Sequence, residues 1–424
     1  MISDNFAARA CQGAFGFLVC WGFIVANIMI AMPMWVAIFT PIPGILILID
    51  SLGPKPHLFQ HISRRSKLPA VLVAIFATMG ALILLHPVLG QPPMTDQPAT
   101  ITCAAQAMWR GQDPYKEYEP QCFRQLRMPP SIATPVQTGA FTHDLHLPSN
   151  AAIRQTMISD QLKGTTGGFP AYGYPPLAAL AIFPVAKGGW LTIDVWIISI
   201  CLLLMAAMWW MPISMRLLLV IWQSVVILSL VNYIGWNPEY VAYLLLAAAL
   251  ALLPYRRSSS ILMAAAVLCN PWTWPAIPAY AGTIWRLPNW RSRTLWFLGF
   301  GLLVFGGYMI WDHNLPMELW RFVTMSSFPL GADIGQLLPY NHTMRLILLG
   351  VYTTTLLSSG AIAYFCPRWR FAAFVMAYAA FFLTWRGLVY YYIAAFIIGP
   401  ALLAGAWRIQ HDLTHDVVSN GNLV

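Results

Sequence analysis

The chain has 424 residues, of which 58% are hydrophobic and only 9% charged. A soluble domain carries about a quarter charged residues, so this composition excludes an ordinary water-covered globule. The formal net charge of +9 does not point to nucleic acid, because the bases cluster in short links between apolar runs. Arg64, Arg65 and Lys67, then Arg256 and Arg257, then Arg286, Arg291 and Arg293, then Arg368 and Arg370 form those links. Such clustering is the cytoplasmic bias that orients helical membrane proteins.

The N-terminus lacks a basic region followed by a short apolar stretch and a small-residue cleavage site, so no removable signal peptide is expected. Apolar runs near 14–32 and 34–50 predict a hairpin, and the link with Arg64, Arg65 and Lys67 returns the chain to the cytoplasm. The run near 68–89 is long enough to span a bilayer and delivers the chain to the far side. There begins the one long polar segment, residues 90–174. It balances six bases (Arg110, Lys116, Arg124, Arg127, Arg154, Lys163) against six acids (Asp96, Asp113, Glu117, Glu119, Asp144, Asp160). A balanced loop fits the extracytoplasmic face.

Within that loop, Asp96 follows two prolines and precedes a helix-capable run, Ala99–Trp109. A carboxylate there suits a general base that takes a proton from an attacking hydroxyl. It equally suits a helix N-cap, and residue type alone favours the cap. Gly111-Gln112-Asp113-Pro114-Tyr115 reads as a tight turn, separated from Asp96 by one helix. Tyr172-Gly173-Tyr174-Pro175-Pro176 closes the loop, where tyrosines are also ordinary interfacial anchors. Cys103 and Cys122 share the loop and can pair in an oxidising compartment, although sequence leaves their separation in space open. The other five cysteines lie in or beside apolar runs and read as packing residues.

Residues 175–187 are apolar but too short to span, and they predict a helix lying in the interface. Helices follow near 190–211, 216–234 and 241–255. Asp194 lies early in the first of these, where an ionisable group is a site candidate by default. Asn270-Pro271 and Pro275 break the stretch 258–285 into two short helices, which are tolerated only when buried or lining a cavity. A helix near 294–311 leads to a second polar stretch, 312–343, and helices near 345–365, 371–385 and 390–406 finish the chain. The fold expected is an all-α polytopic membrane protein of about twelve transmembrane helices with both termini cytoplasmic. Residues 1–68 are expected to form the N-terminal hairpin and basic link, 69–406 the main membrane domain, and 407–424 a cytoplasmic tail.

Lys187, Arg321, Arg345 and Arg386 fall outside the cytoplasmic set, near helix ends on the outer half. Snorkelling to headgroups explains any one of them; as a group they suit a phosphate-bearing lipid. His143-Asp144-Leu145-His146 is too short a pattern to argue for a metal. Gly164–Gly168 lacks the ending of a phosphate loop, and Asn341-His342-Thr343 matches a glycosylation sequon, a short pattern.

In this order the pieces resemble the GT-C membrane glycosyltransferases, most closely glycosyltransferase family 87, which includes polyprenyl-phosphate-mannose-dependent mannosyltransferases. The resemblance is carried by Thr95-Asp96, the Gly-x-Asp-Pro-Tyr turn at 111–115 and Tyr-x-Tyr-Pro-Pro at 172–176. It continues through Gly-x-Asn-Pro at 235–238, Asn270-Pro271 in the broken helix and Asn341-His342-Thr343, covering about 69 to 406. It implies a GT-C-like bundle at the cell membrane and inverting transfer of a hexose, mannose foremost, from a polyprenyl-phosphate sugar donor. The acceptor would be a lipid or glycan at the extracytoplasmic face. Asp96 would be the catalytic base, and Arg345, Arg386 and His342 would hold the donor phosphate. Asp113, Tyr115, Tyr172, Tyr174, Asn237, Asn270, Asn341 and Tyr391 would line the sugar and acceptor pocket. No cofactor is expected and, without an Asp-x-Asp cluster, no metal.

Three departures stand against the family pattern. Asn270-Pro271 replaces a frequent Lys-Pro, the first loop carries an insertion around 120–165, and the hairpin 14–50 is an addition. Two other classes stay open: a secondary transporter, suggested by broken helices and scattered intramembrane charges, and a polysaccharide polymerase or ligase with large outer loops.

Overall fold

The computed structural model describes residues 90, 96–116, 119–128, 133–135, 139–141, 143–144, 148–163, 172–209, 239–317, 319, 330–331, 334, 338, 341–384 and 386–387. The expected helices near 14–32, 34–50, 68–89, 216–234 and 390–406, and with them Asn237 and Tyr391, lie outside the described residues.

The described chain is mostly helical. Helix α1 spans Asp96–Trp109, the fourteen-residue element expected between Asp96 and the 111–115 turn. Its carboxylate-bearing first residue faces the positive end of the helix dipole, and Pro98 falls in the first turn, where a missing N–H costs nothing. Its alanines and threonines are buried almost all round, so neighbours approach it closely. The insertion contains α2 (Glu119–Gln125) and α3 (Asn150–Lys163). With Ala99 of α1 these segments build a second small core from Phe123, Met128, Ala133, Phe141, Ile153 and Met157.

Helix α4 (Pro176–Ile182) starts with proline at its first position, as helices favour, and passes through a 3₁₀ turn, Phe183–Val185. The chain then bends by 116° into α5 (Trp190–Trp209). The sequence suggests that this apolar segment lies flat in an interface. In the structure Pro176, Ala178, Ala179 and Ile182 are buried, because α4 packs against α1 and the later helix α7.

Helices α6 (Glu239–Ala251) and α7 (Arg256–Cys269) form an antiparallel pair. Arg293 braces the turn between them, its guanidinium donating to the carbonyls of Leu253 at 2.7 Å and Pro254 at 3.4 Å. A 3₁₀ turn (Pro271–Thr273) separates α7 from α8 (Ala276–Trp285). This is the break expected from Asn270-Pro271 and Pro275. The carbonyls freed by it are satisfied locally: Thr273 Oγ1 donates to Ala266 O at 3.0 Å, and Trp274 Nε1 to Val267 O at 2.9 Å.

Helices α9 (Trp290–Trp311) and α10 (His342–Phe365) contain the two described stretches long and apolar enough to cross a membrane; the bent α4–α5 pair makes a third if counted as one span. Both carry large apolar side chains on their outsides, among them Leu302, Leu303, Ile310 and Leu357. Such a surface suits lipid better than water. Helix α11 (Arg370–Ala379) continues as a 3₁₀ turn to Leu383, shorter than a span. Two two-residue strands, β1 (Leu330–Gly331) and β2 (Arg386–Gly387), pair in parallel.

Candidate functional site

Asp96 opens α1 half-buried. Its Oδ2 accepts a hydrogen bond from the backbone N–H of Thr134 at 2.9 Å, so the carboxylate joins the helix start to the insertion. Its own carbonyl accepts from Thr100 Oγ1 at 3.0 Å. A disulfide between Cys103 and Cys122, with Cα atoms 5.9 Å apart, fastens α2 to α1. The insertion therefore roofs the helix that carries Asp96.

The other end of α1 builds a second group of polar side chains, after a rise of about 20 Å along the helix axis. Gly111, at φ +69°, turns the chain sharply, and the N–H of Gln112 donates to Ala107 O at 2.9 Å. The 3₁₀ turn Pro114–Lys116 then folds back against α1. Asp113 fixes that turn by accepting the Tyr115 N–H on Oδ1 at 3.0 Å.

Buried Tyr115 reaches the closing segment of the loop, where its hydroxyl donates to Tyr174 O at 2.7 Å. Tyr172, also buried, donates its hydroxyl to Pro175 O at 3.0 Å. The ring of Tyr172 lies 5.0 Å from that of Tyr115 and 5.9 Å from that of Tyr174. From α9, Tyr308 meets Tyr115 edge-on at 5.8 Å, and Trp311 packs on Tyr308 at 5.2 Å.

Burial pushes the phenol of Tyr115 well above the ordinary tyrosine range, and Tyr172, Tyr308, Asp312 and Asp113 push it further in the same direction. Burial does the same to Tyr172, helped by Tyr308 and Cys269. Both phenols therefore stay protonated near neutral pH. They serve as hydrogen-bond donors and ring faces rather than bases.

Asn270 is fully buried where α7 ends, and its Oδ1 accepts the Trp272 N–H at 2.9 Å. Asn341 caps α10 by accepting the Met344 N–H at 2.8 Å, a structural job that the sequence does not distinguish from pocket lining. Arg345 lies half-buried in the first turn of α10, and His342 opens the same helix. Arg386 pairs its backbone with Leu330. Lys187 sits over the ring of Trp109 at 4.6 Å, and Trp109 stacks on Phe183 at 4.5 Å, which clamps the end of α1 to the bend before α5. Asp194 accepts the backbone N–H of Gly90 at 2.8 Å. Among the described residues no group of three or more His, Cys, Asp or Glu side chains is placed to hold a metal ion.

Two members of the tyrosine group were not singled out by the sequence. Asp312 and Tyr308 stand at the end of α9, and the polar run Asp312-His313-Asn314 after an apolar helix is the signal that could have found them. Of the residues expected to share a pocket, the structure brings together Asp113, Tyr115, Tyr172 and Tyr174; the Tyr172 phenol is also in electrostatic reach of Cys269, the neighbour of Asn270. It holds Asp96 at the opposite end of α1, against Thr134. No family model, curated protein or solved structure matches the chain.

Proposed function

We propose that the chain is an integral-membrane glycosyltransferase of the GT-C type. It moves a hexose, mannose foremost, from a polyprenyl-phosphate donor to a lipid or glycan acceptor at the extracytoplasmic face of the cell membrane. In this reading about twelve helices cross the bilayer, both termini are cytoplasmic and residues 90–174 form the outer loop. The observation that carries it is the hydrogen bond from Tyr115 to Tyr174. It joins the Gly-x-Asp-Pro-Tyr turn to the Tyr-x-Tyr-Pro-Pro segment, the two loop elements on which the family resemblance rests. The Cys103–Cys122 disulfide adds support, since such bonds persist in oxidising compartments.

The chemistry is a single displacement. At the Asp96 end of α1, about 20 Å along the helix from the tyrosine group, the acceptor hydroxyl attacks the anomeric carbon and Asp96 takes its proton. The bond from that carbon to the lipid phosphate breaks, and the electron pair leaves on the phosphate oxygen. Arg345, Arg386 and His342 are the cations assigned to that developing charge. The anomeric configuration inverts. The test is incubation of purified protein with a panel of radiolabelled polyprenyl-phosphate sugars and membrane lipids. Transfer from one donor, abolished by Asp96→Ala, is expected; no transfer from any donor overturns the reading.

Secondary transport is the second reading, favoured by the 116° bend between α4 and α5 and by the helix break at Asn270. Counterflow in vesicles separates the two, because a transferase exchanges no solute across the membrane.

A further inference from the structure

Six arginines gather at one end of the helix bundle. Arg256 and Arg257 open α7, Arg286 follows α8, Arg291 and Arg293 lie in the first turn of α9, and Arg370 opens α11. Contacts bring these segments together in space. Arg293 donates to the carbonyls of Leu253 and Pro254 just before α7, and Arg257 lies over the ring of Trp296 at 5.3 Å. Arg286 lies over the ring of Tyr364, near the end of α10, at 5.7 Å, and faces Arg370 as a like charge. No Asp or Glu occurs between Glu239 and Asp312 or between Asp333 and Asp412, so these helices bring no carboxylate of their own to this end.

A helix start presents unpaired N–H groups and the positive end of the dipole, so an acid or a capping side chain is favoured there. Helices α7, α9 and α11 have no acid in the first turn, and none takes a hydrogen bond from its N-cap side chain (Tyr255, Asn289, Trp369). Arginines stand there instead. A charge bias that only orients the chain needs bases in the links, not in the first turns of three helices.

The two described helices long and apolar enough to cross a membrane meet this end, where α9 starts and α10 ends. The arginines therefore lie at the depth of lipid headgroups. Exposed Trp285, Trp290, Trp296 and Trp369 share the same segments, and tryptophan favours the membrane–water interface. Arg291 lies over the ring of Trp290 at 5.5 Å. Like Arg257 and Arg286, it uses the face of its guanidinium on a ring and keeps in-plane N–H groups for phosphate oxygens.

We propose that this end of the bundle binds the headgroups of anionic glycerophospholipids, whose phosphates bridge arginines of neighbouring helices. The phosphates supply the negative charge missing at the starts of α7, α9 and α11, and the tryptophans seat against the glycerol and upper acyl chains. A soluble acidic partner satisfies the arginines but has to displace lipid from the tryptophans. The inference rests on the chain spanning a membrane and holds whether or not it transfers a sugar.

The test uses full-length protein in a neutral detergent, where orientation across a membrane plays no part and binding is read alone. Native mass spectrometry follows titration with dioleoyl phosphatidylglycerol, dioleoyl phosphatidylcholine and inorganic phosphate. Phosphatidylglycerol should bind in preference to the other two. Its affinity should weaken about fivefold in each of Arg257→Gln, Arg286→Gln and Arg291→Gln. All three side chains are exposed, so each variant should keep the fold, which melting without lipid verifies. Arg154→Gln removes an equally exposed arginine from α3 and should leave the affinity unchanged. The proposal is overturned by phosphatidylcholine binding as tightly as phosphatidylglycerol, by unchanged phosphatidylglycerol affinity in all three variants, or by an equal loss in Arg154→Gln. Displacement of phosphatidylglycerol by an equal concentration of inorganic phosphate overturns it too, because that marks an ion site rather than a lipid site.

Discussion

Tyr115 and Tyr174, 59 residues apart in sequence, are joined by a hydrogen bond of 2.7 Å from a phenol to a main-chain carbonyl. That bond closes the polar loop, because the turn after α1 and the segment before α4 have no covalent reason to meet. Tyr115→Phe removes the donor and keeps the ring. It should cost about 1–2 kcal/mol and leave the Tyr174 carbonyl seeking another donor. Thermal unfolding followed by intrinsic fluorescence measures the first effect. Faster proteolysis between residues 164 and 175 would report the second.

The buried phenols also set an alkaline limit. In the unfolded chain a tyrosine ionises near pH 10, whereas Tyr115 and Tyr172 are held well above that by burial. The folded form then keeps protons that the unfolded form releases. Their contribution is complete below about pH 10 and declines as pH rises beyond it. Melting temperature should fall more steeply above pH 10 for the parent than for a Tyr115→Phe, Tyr172→Phe double variant. Parallel curves would refute this.

Helices α8 and α10 cross where Gly282 faces Gly360. A Cβ placed on Gly282 collides with the Gly360 carbonyl oxygen, and one on Gly360 comes within 2.9 Å of Pro278 O. Backbone cannot yield as a flexible side chain does. Gly282→Ala should destabilise by roughly 1–3 kcal/mol, through separation of two helices held together by close approach. Thermal aggregation monitored by size-exclusion chromatography in detergent checks it, with Gly299→Ala on α9 as the control, since that position is open.

The disulfide closes a loop with a sequence separation of 19 between Cys103 and Cys122. Constraint of the unfolded chain by a loop of this size is worth about 3 kcal/mol. Cys122→Ser should loosen α2 from α1 and lower the melting temperature. The linked peptides should appear by mass spectrometry without reductant and vanish with it.

What was legible in the sequence was what neighbouring residues encode. The start and length of α1 follow from Asp96, Pro98 and the alanine-rich run, and the turn after it from Gly111 and Asp113. The break between α7 and α8 follows from Pro271 and Pro275, whose missing N–H groups no packing can restore. What stayed hidden depends on the fold. Asp312 and Tyr308 sit beside Tyr115 only because α9 ends there, nearly two hundred residues later in the chain. Cys103 and Cys122 meet only once α2 folds back on α1. Asn341 shows the converse: residue type allowed both a pocket and a cap, and the structure has it capping α10.

The central claim is that Asp96 accepts the proton of the attacking hydroxyl. The most direct measurement is single-turnover transfer from a radiolabelled polyprenyl-phosphate hexose by parent and Asp96→Asn proteins. The substitution keeps the side chain's size and an oxygen for the Thr134 N–H. The rate should drop on the order of 10³-fold, with donor binding and melting temperature retained. An Asp96→Asn protein that turns over at the parental rate would contradict it.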